Sequence, residues 1–358
     1  MTTGRTVKKG EVLRRLLVFL ICLNAALPSA YLTVTKVDLH DAALGGASGD
    51  AAQYVRMFQG VGLEQIPKPF RYRILTPYLA RLVPFPPAAL TGGYEVSPDK
   101  IVMFRFAMVN VVGLAATGLI VHLLCEALGF GVWESLAGSL LFMTGFTVVN
   151  FGAAPMVDAL SFLFLAAAIL CVLRGWSAGL LLSVLVGMFA RETTAYVLVP
   201  ILALAGPART RVRNVLLCLP GLAAYLVFRL VLWPTSTGWN YGVADTLENL
   251  RVTFTSARRL AWVATDGGLA FGVLWILALI GWWSLVRRRE WRHPLFRLSF
   301  LIPFALVIPN LIYANIGRLF TLAFPAVIPL ALLPLRRVIG GAREEPPADT
   351  LRPPPAAG

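Results

Sequence analysis

The chain has 358 residues, of which 58% are hydrophobic and only 14% are charged, and its net charge is +14. A soluble domain is about 45–50% apolar and about 25% charged. One packed core cannot bury so much apolar surface, so most of that surface must face lipid. This composition excludes a cytosolic enzyme, a disordered protein and a secreted domain held together by disulfides.

Ten apolar segments follow one another along the chain, and we predict that each forms a transmembrane helix. They cover 13–34, 101–127, 133–150, 157–173, 177–190, 195–206, 214–233, 266–286, 296–314 and 319–335. The fifth and sixth segments are short, since about 14 residues at about 1.5 Å each reach only about 21 Å. They form either one long helix with Arg191 and Glu192 inside it, or two short helices that meet at a turn.

The basic residues choose between these alternatives, because Lys and Arg accumulate in cytoplasmic loops. The arginine clusters at 209–213 and 287–289 both lie in the cytoplasm only if the short pair makes two passes. We therefore predict ten passes with both termini in the cytoplasm, which places 18 of the 32 Lys and Arg residues on that side. The positive charge then follows from topology and does not require nucleic acid as a partner.

The chain is expected to form an all-α polytopic membrane protein with a single transmembrane domain, 1–338. Residues 339–358 are rich in Pro and Ala and should form a disordered cytoplasmic tail. Residues 36–100 form the first external loop, which is the only sizeable polar segment. The apolar stretch from Leu16 to Val34 exceeds the usual length of a signal peptide, so we expect the first helix to be retained.

The first external loop should carry interfacial helices. Asp50 begins about two helical turns that stop at Gly60, with Tyr54 and Phe58 on one face. Asp50 either only caps this helix or supplies a carboxylate that the helix dipole keeps anionic. A second, amphipathic helix should begin at Thr76-Pro77 and lie on the outer leaflet.

A basic and aromatic stretch precedes that second helix. We expect Arg71 and Arg73 to lie at the depth of the lipid headgroups, with Tyr72 between them. They either anchor the loop to anionic lipid or bind a lipid phosphate, for which the guanidinium fork suits better than an ammonium group.

Further ionisable residues lie where predicted membrane segments meet the outer face. Asp158 begins the fourth segment, Arg191 and Glu192 lie at the tip of the short pair, and Arg318 begins the tenth segment. A charge at bilayer depth costs at least about 2.5–3.5 kcal/mol, so each is a functional hypothesis. Two short helices would leave a polar cleft below the outer face, and we expect Arg191 to line it.

We predict neither a cofactor nor a bound metal. The sequence contains no GxGxxG, P-loop, CxxC or HExxH pattern. His40 lies near Asp38, Asp41 and Asp50, which could form a metal site, but this spacing is not diagnostic, and a solvated loop is the preferred interpretation.

Taken in order, these motifs resemble those of the GT-C-type integral membrane glycosyltransferases, including the protein mannosyltransferase and aminoarabinose transferase branches. The resemblance spans roughly 12–337. It rests on Gly49-Asp50 with Tyr54, on Pro155-Met156-Val157-Asp158, on Ala190-Arg191-Glu192-Thr193 and on Gly317-Arg318 with Pro325 and Pro329.

This resemblance implies transfer of a sugar from a polyprenyl-phosphate-linked donor to a hydroxyl acceptor on a glycan, lipid or protein, at the outer face of the membrane. It also implies that Asp50 is the general base or orients the acceptor, and that Asp158 is a second acidic site residue. Arg191 and Arg318 would hold the donor phosphate. Some relatives carry an acidic pair where this chain has Asp50 alone, which leaves metal dependence open.

The chemistry agrees with these roles. A hydroxyl nucleophile needs a positioned base, and a phosphate leaving group needs fixed cations. One carboxylate and no general acid predict an inverting displacement. The predicted catalytic residues are Asp50 and Asp158. The predicted phosphate-binding residues are Arg191, Arg318, Arg73 and Arg71. The predicted substrate contacts are Tyr54, Glu192 and Tyr72. The expected location is a bacterial inner membrane.

Two other functions are compatible with a multi-pass protein. A lipid or small-solute transporter or flippase would bind its substrate at mid-membrane, usually between repeated halves. The sequence has no such halves, and its polar residues gather at one face. A non-catalytic partner in polysaccharide assembly would not need Asp50, Asp158 and Arg191 to converge. If the side chains of these three residues pointed to separate regions, the enzyme hypothesis would be contradicted.

Overall fold

A computed structural model describes residues 9–37, 49–86, 96–204, 206–233, 243–312 and 316–339, and within these ranges the chain forms helices and no β-strand. Most of the predicted tail, and His40 with Asp38 and Asp41, lie outside the described residues. The helices are α1 (Lys9–Lys36), α2 (Asp50–Phe58), α3 (Leu75–Leu82), α4 (Pro98–Ala127), α5 (Val132–Met143), α6 (Phe146–Phe151), α7 (Asp158–Arg174), α8 (Ser177–Ala190), α9 (Leu198–Ala203), α10 (Ala208–Val227), α11 (Val243–Thr255), α12 (Ala257–Phe271), α13 (Leu274–Arg287), α14 (Pro294–Leu298), α15 (Leu301–Ile312), α16 (Ile316–Phe320) and α17 (Phe324–Ile339).

Four of the described helical stretches are long and apolar enough to cross a bilayer. They are Lys9–Lys36, Pro98–Ala127, Ala208–Leu232 and Arg318–Arg336. Helices α12 and α13 together would make a fifth, although the chain bends by 80° between them. Large apolar side chains are exposed on these helices, for example Leu13 at 67% and Leu230 at 63%, and lipid would cover them. Length and composition therefore indicate a membrane-spanning protein with four or five such helices.

The short predicted pair is broken at Arg191. Helix α8 ends at Ala190, Arg191 is extended with φ −167°, and a 3₁₀ turn over Glu192–Val197 leads into α9. The interpretation as two helices is therefore confirmed, and Arg191 lies at the break between them.

The prediction of one helix over 266–286 is wrong. Helix α12 ends at Phe271, and Gly272 takes a φ of +51°, which turns the chain into α13. The Trp275 indole N–H then donates to the Gly267 carbonyl at 2.7 Å across the bend. Glycine reaches this left-handed region without steric cost, whereas hydropathy registers only the apolar composition on both sides.

Two apolar cores hold the helices together. In the larger core α1 packs on α4, α4 on α7, α7 on α8, α8 on α10, and α13 on α17. Its centre includes the ring of Phe142, 4.7 Å from that of Phe324 and 6.0 Å from that of Phe162. A smaller core packs the buried faces of α2 and α3 against α4 and the segment before α7, through Tyr54 and Phe106 among others. The segment between α1 and α4 is therefore fixed to the beginnings of α4 and α7.

Close packing of α10 on α8 requires glycine at position 221. A Cβ atom built on Gly221 would lie 2.9 Å from the backbone nitrogen of Leu185, inside normal contact distance. We expect Gly221→Ala to separate the two helices and to destabilise the fold by about 1–3 kcal/mol. Gly268→Ala is the matched control, since nothing lies within 4 Å of its added Cβ. Thermal unfolding in detergent measures both, and an equal midpoint for both variants would contradict the packing described here.

Candidate functional site

Asp50 is an ion-pair partner and not a helix cap. It is the first residue of α2, the cap position belongs to Gly49, and no side chain caps the helix. The Asp50 carboxylate instead accepts a hydrogen bond from Nη2 of Arg318 at 2.5 Å. The interpretation in which Asp50 only caps its helix is therefore wrong, and this contact joins the segment between α1 and α4 to the helices near the end of the chain.

Asp158 bridges two guanidinium groups. It is the first residue of α7, and its side chain is only 2% exposed. One carboxylate oxygen accepts from Nη1 of Arg191, and the other accepts from Nη1 of Arg318 at 3.2 Å. Because each oxygen binds a different arginine, Asp158 fixes the distance between the two cations.

Interruptions of the helices bring these arginines to the interior. Arg191 lies in the extended break after α8, and its backbone N–H donates to Gly187 at 2.9 Å. Arg318 lies in the five-residue helix α16, just before a 3₁₀ turn that leads into α17. Both side chains are less than 10% exposed. Charged groups and irregular backbone inside an apolar bundle are tolerated where they line a protected polar region.

A second ion pair lies beside the first group. Arg73 binds Glu192 with two N–H groups, of which Nε lies 2.9 Å from Oε2. Its Nη1 donates to the Tyr54 hydroxyl at 3.2 Å. Glu192 directly follows Arg191, so the backbone connects the two groups of charges.

The ionisation states of Arg73 and Tyr54 follow from these contacts. Burial raises the pKa of Tyr54 to about 12, so its hydroxyl stays protonated at neutral pH. Burial acts to lower the pKa of Arg73, but Glu192 and Tyr54 together outweigh this effect and hold that pKa well above its usual value. Arg73 is therefore a permanent cation, and its fork is occupied by Glu192.

We call the six charged residues the ionic cluster. Its members are Asp50, Asp158, Glu192, Arg73, Arg191 and Arg318. Three carboxylates face three guanidinium groups, so the charges within the cluster cancel. Exposure differs within the cluster, since the Asp50 and Glu192 side chains are 31% and 33% exposed while the other four are below 10%. A ligand would therefore approach from the side of Asp50 and Glu192.

Two of the residues predicted to bind substrate, Arg71 and Tyr72, bind groups outside the ionic cluster. Arg71 is buried and donates to the backbone carbonyls of Ile66 and Glu64 at 2.6 and 3.2 Å, so it holds the loop together. Tyr72 is buried with its ring against Tyr225, and its hydroxyl donates to the Trp233 carbonyl at 3.4 Å. We therefore leave Arg71 and Tyr72 out of the proposed substrate contacts.

Asn110 is a site residue that the sequence did not single out. It is fully buried in α4, and its amide donates to the carbonyls of Ala154 and Met156 at 2.6 and 3.2 Å. These bonds hold the non-helical segment that leads to Asp158. A lone Asn within a long apolar helix was the available signal, because a buried amide needs partners.

The described residues show no metal centre. No three His, Cys, Asp or Glu side chains among them are placed to share an ion. The three carboxylates of the ionic cluster each bind an arginine instead.

We expect the Arg73–Glu192 pair to be energetically coupled. A double-mutant cycle with Arg73→Ala and Glu192→Ala should give a coupling free energy of about 1–3 kcal/mol, because two N–H groups and a buried guanidinium are involved. The control pair is Arg251 and Glu248, which are 68% and 54% exposed on one helix and should couple much more weakly, because solvent screens exposed charges. Thermal unfolding of the wild type, the two single variants and the double variant in each cycle measures the coupling free energy. Equal coupling in the two pairs would contradict the burial assigned to Arg73.

No protein-family model, curated protein or solved structure matches this chain.

Proposed function

We propose that the chain is a membrane glycosyltransferase that moves a sugar from a polyprenyl-phosphate-linked donor to a hydroxyl acceptor. The observation that carries this proposal is the convergence of Asp50, Asp158, Arg191 and Arg318 from four distant parts of the chain. The partly exposed Asp50 carboxylate pairs with Arg318, which Asp158 links to Arg191, so that a base and an anion site are available at one place. A non-catalytic assembly partner would not need this convergence.

In the proposed reaction the Asp50 carboxylate accepts the proton of the acceptor hydroxyl. The acceptor oxygen forms a bond to the anomeric carbon of the sugar while the bond from that carbon to the phosphate oxygen breaks. The bonding electron pair leaves with the phosphate, and Arg191 and Arg318 stabilise the developing negative charge. The lipid phosphate needs no proton from the enzyme, so attack from the opposite face inverts the anomeric centre.

The remaining residues of the cluster receive positioning or substrate-contacting roles. Both Asp158 oxygens are engaged by arginine and the side chain is buried, so we assign Asp158 to positioning Arg191 and Arg318. Arg73 holds Tyr54 and Glu192 in place. Glu192 is the more exposed of these and is placed to accept hydrogen bonds from sugar hydroxyls.

The membrane arrangement belongs to the same proposal. Ten passes with both termini in the cytoplasm would place the ends of α1 and α8 and the beginnings of α4 and α7 on the outer side. Contacts support a common side for these ends, since Lys100 of α4 donates to the Val37 carbonyl after α1 at 3.1 Å. Arg191 after α8 pairs with Asp158 of α7. The proposed location is a bacterial inner membrane.

The test is sugar transfer by the purified chain in liposomes. Radiolabelled sugar should move to an acceptor from polyprenyl-phosphate donors and not from nucleotide sugars. Failure with every polyprenyl-phosphate donor would contradict the proposal. Movement of the labelled lipid between leaflets with the sugar–phosphate bond intact would instead identify a lipid transporter.

A further inference from the structure

Arg318 is shared by two carboxylates that differ in exposure. Its Nη1 binds Asp158, which is 2% exposed at the start of α7, and its Nη2 binds Asp50, which is 31% exposed at the start of α2. Asp158 is held a second time by Arg191, whereas Arg318 is the ion-pair partner of Asp50. Asp50 is therefore the carboxylate that can leave Arg318 without exposing an uncompensated buried charge.

The charge balance of the ionic cluster limits how it can accept an anion. Three guanidinium groups are already matched by three carboxylates, so an added phosphate would be an excess negative charge in a largely buried place. If the phosphate replaces one carboxylate as the partner of an arginine, the cluster does not gain an unmatched negative charge. The Nε atoms of Arg191 and Arg318 are also buried and lack hydrogen-bond partners among the described residues. Additional acceptor oxygens would satisfy these donors.

We propose that Asp50 and the donor phosphate are alternative partners of Arg318, so that donor binding releases Asp50 for its role as base. This inference rests on the proposed function. In the state described here Asp50 is bound to the cation that the phosphate needs. When the phosphate binds Arg191 and Arg318, the Asp50 carboxylate is set free at the exposed edge of the cluster, where the acceptor hydroxyl arrives. Asp50 is therefore free to act as the base only when the donor is bound. An acceptor hydroxyl is then not deprotonated in the absence of the sugar that it attacks.

Binding of a sugar-free polyprenyl phosphate to the purified full-length chain in detergent tests this competition, because it does not depend on catalysis. Asp50→Asn removes the competing charge and should tighten binding about tenfold, a gain that corresponds to about 1.4 kcal/mol. Glu248→Gln is the matched control. It also removes one carboxylate from an ion pair with an arginine, but on α11, which contributes no residue to the ionic cluster, and it should change affinity by no more than about twofold.

The outcomes separate this inference from the proposed function. Binding by the wild type with equal or weaker binding by Asp50→Asn would overturn the competition while leaving the enzyme proposal intact. A similar gain in both variants would also overturn it, since general electrostatics would then explain the effect. Absence of binding by all three proteins would overturn the competition together with the proposed polyprenyl-phosphate donor.

Discussion

Replacing Arg318 by Lys should lower the rate of sugar transfer by about 10²–10³-fold. Arg318 reaches Asp50 and Asp158 with two nitrogens of one planar fork. An ammonium group is a single point of charge and does not reproduce this geometry. Loss of one positioned hydrogen-bond donor to developing negative charge typically costs about 2.7–4 kcal/mol of transition-state stabilisation.

The measurement for Arg318→Lys is the initial rate of transfer at saturating donor, with Arg251→Lys as control. Arg251 is 68% exposed and pairs with Glu248 on its own helix, so its replacement should leave the rate unchanged. Thermal unfolding of both variants verifies that they are folded. A folded Arg318→Lys protein with wild-type activity would remove Arg318 from the catalytic account.

Replacing Asp158 by Asn should destabilise the protein by about 3–5 kcal/mol. The substitution removes the charge that two buried guanidinium groups share, and an uncompensated buried cation is costly. Asp50→Asn is the matched comparison, since it removes a carboxylate that also pairs with Arg318 but is 31% exposed. It should cost only about 0–1 kcal/mol.

Thermal or denaturant unfolding in the same detergent compares the two Asp→Asn variants. We expect the wild type and Asp50→Asn to have similar stability and Asp158→Asn to be much less stable than both. Equal stability of the two variants would show that the guanidinium groups of Arg191 and Arg318 find other partners, and Asp158 would lose its positioning role.

The apolar helices could be predicted from the sequence, but the breaks between them only in part. Long apolar stretches such as those in α1 and α4 produce a strong hydropathy signal that depends on composition alone. The bend after α12 depends instead on the φ of Gly272, and the segment predicted over 133–150 is divided between α5 and α6. Backbone geometry of this kind depends on packing partners that lie far away in the chain.

The candidate residues of the site could be predicted better than their contacts. Asp158, Arg191 and Arg318 were recognisable because a charge in an apolar segment is costly and therefore informative. Their partners were not recognisable, since Asp50 and Arg318 are separated by 268 positions. Arg71 and Arg73 show the same limit, because they are two residues apart and only Arg73 reaches Glu192.

The most direct test of the central claim is radiolabelled sugar transfer from a polyprenyl-phosphate donor by the wild type and by Asp50→Asn. The asparagine side chain has the same shape but cannot accept the acceptor's proton, so we expect a fall of at least about 10²-fold in the transfer rate. With the tighter binding of polyprenyl phosphate proposed above, this loss would locate the defect in the chemical step. Transfer at the wild-type rate by Asp50→Asn would contradict the assignment of Asp50 as the base.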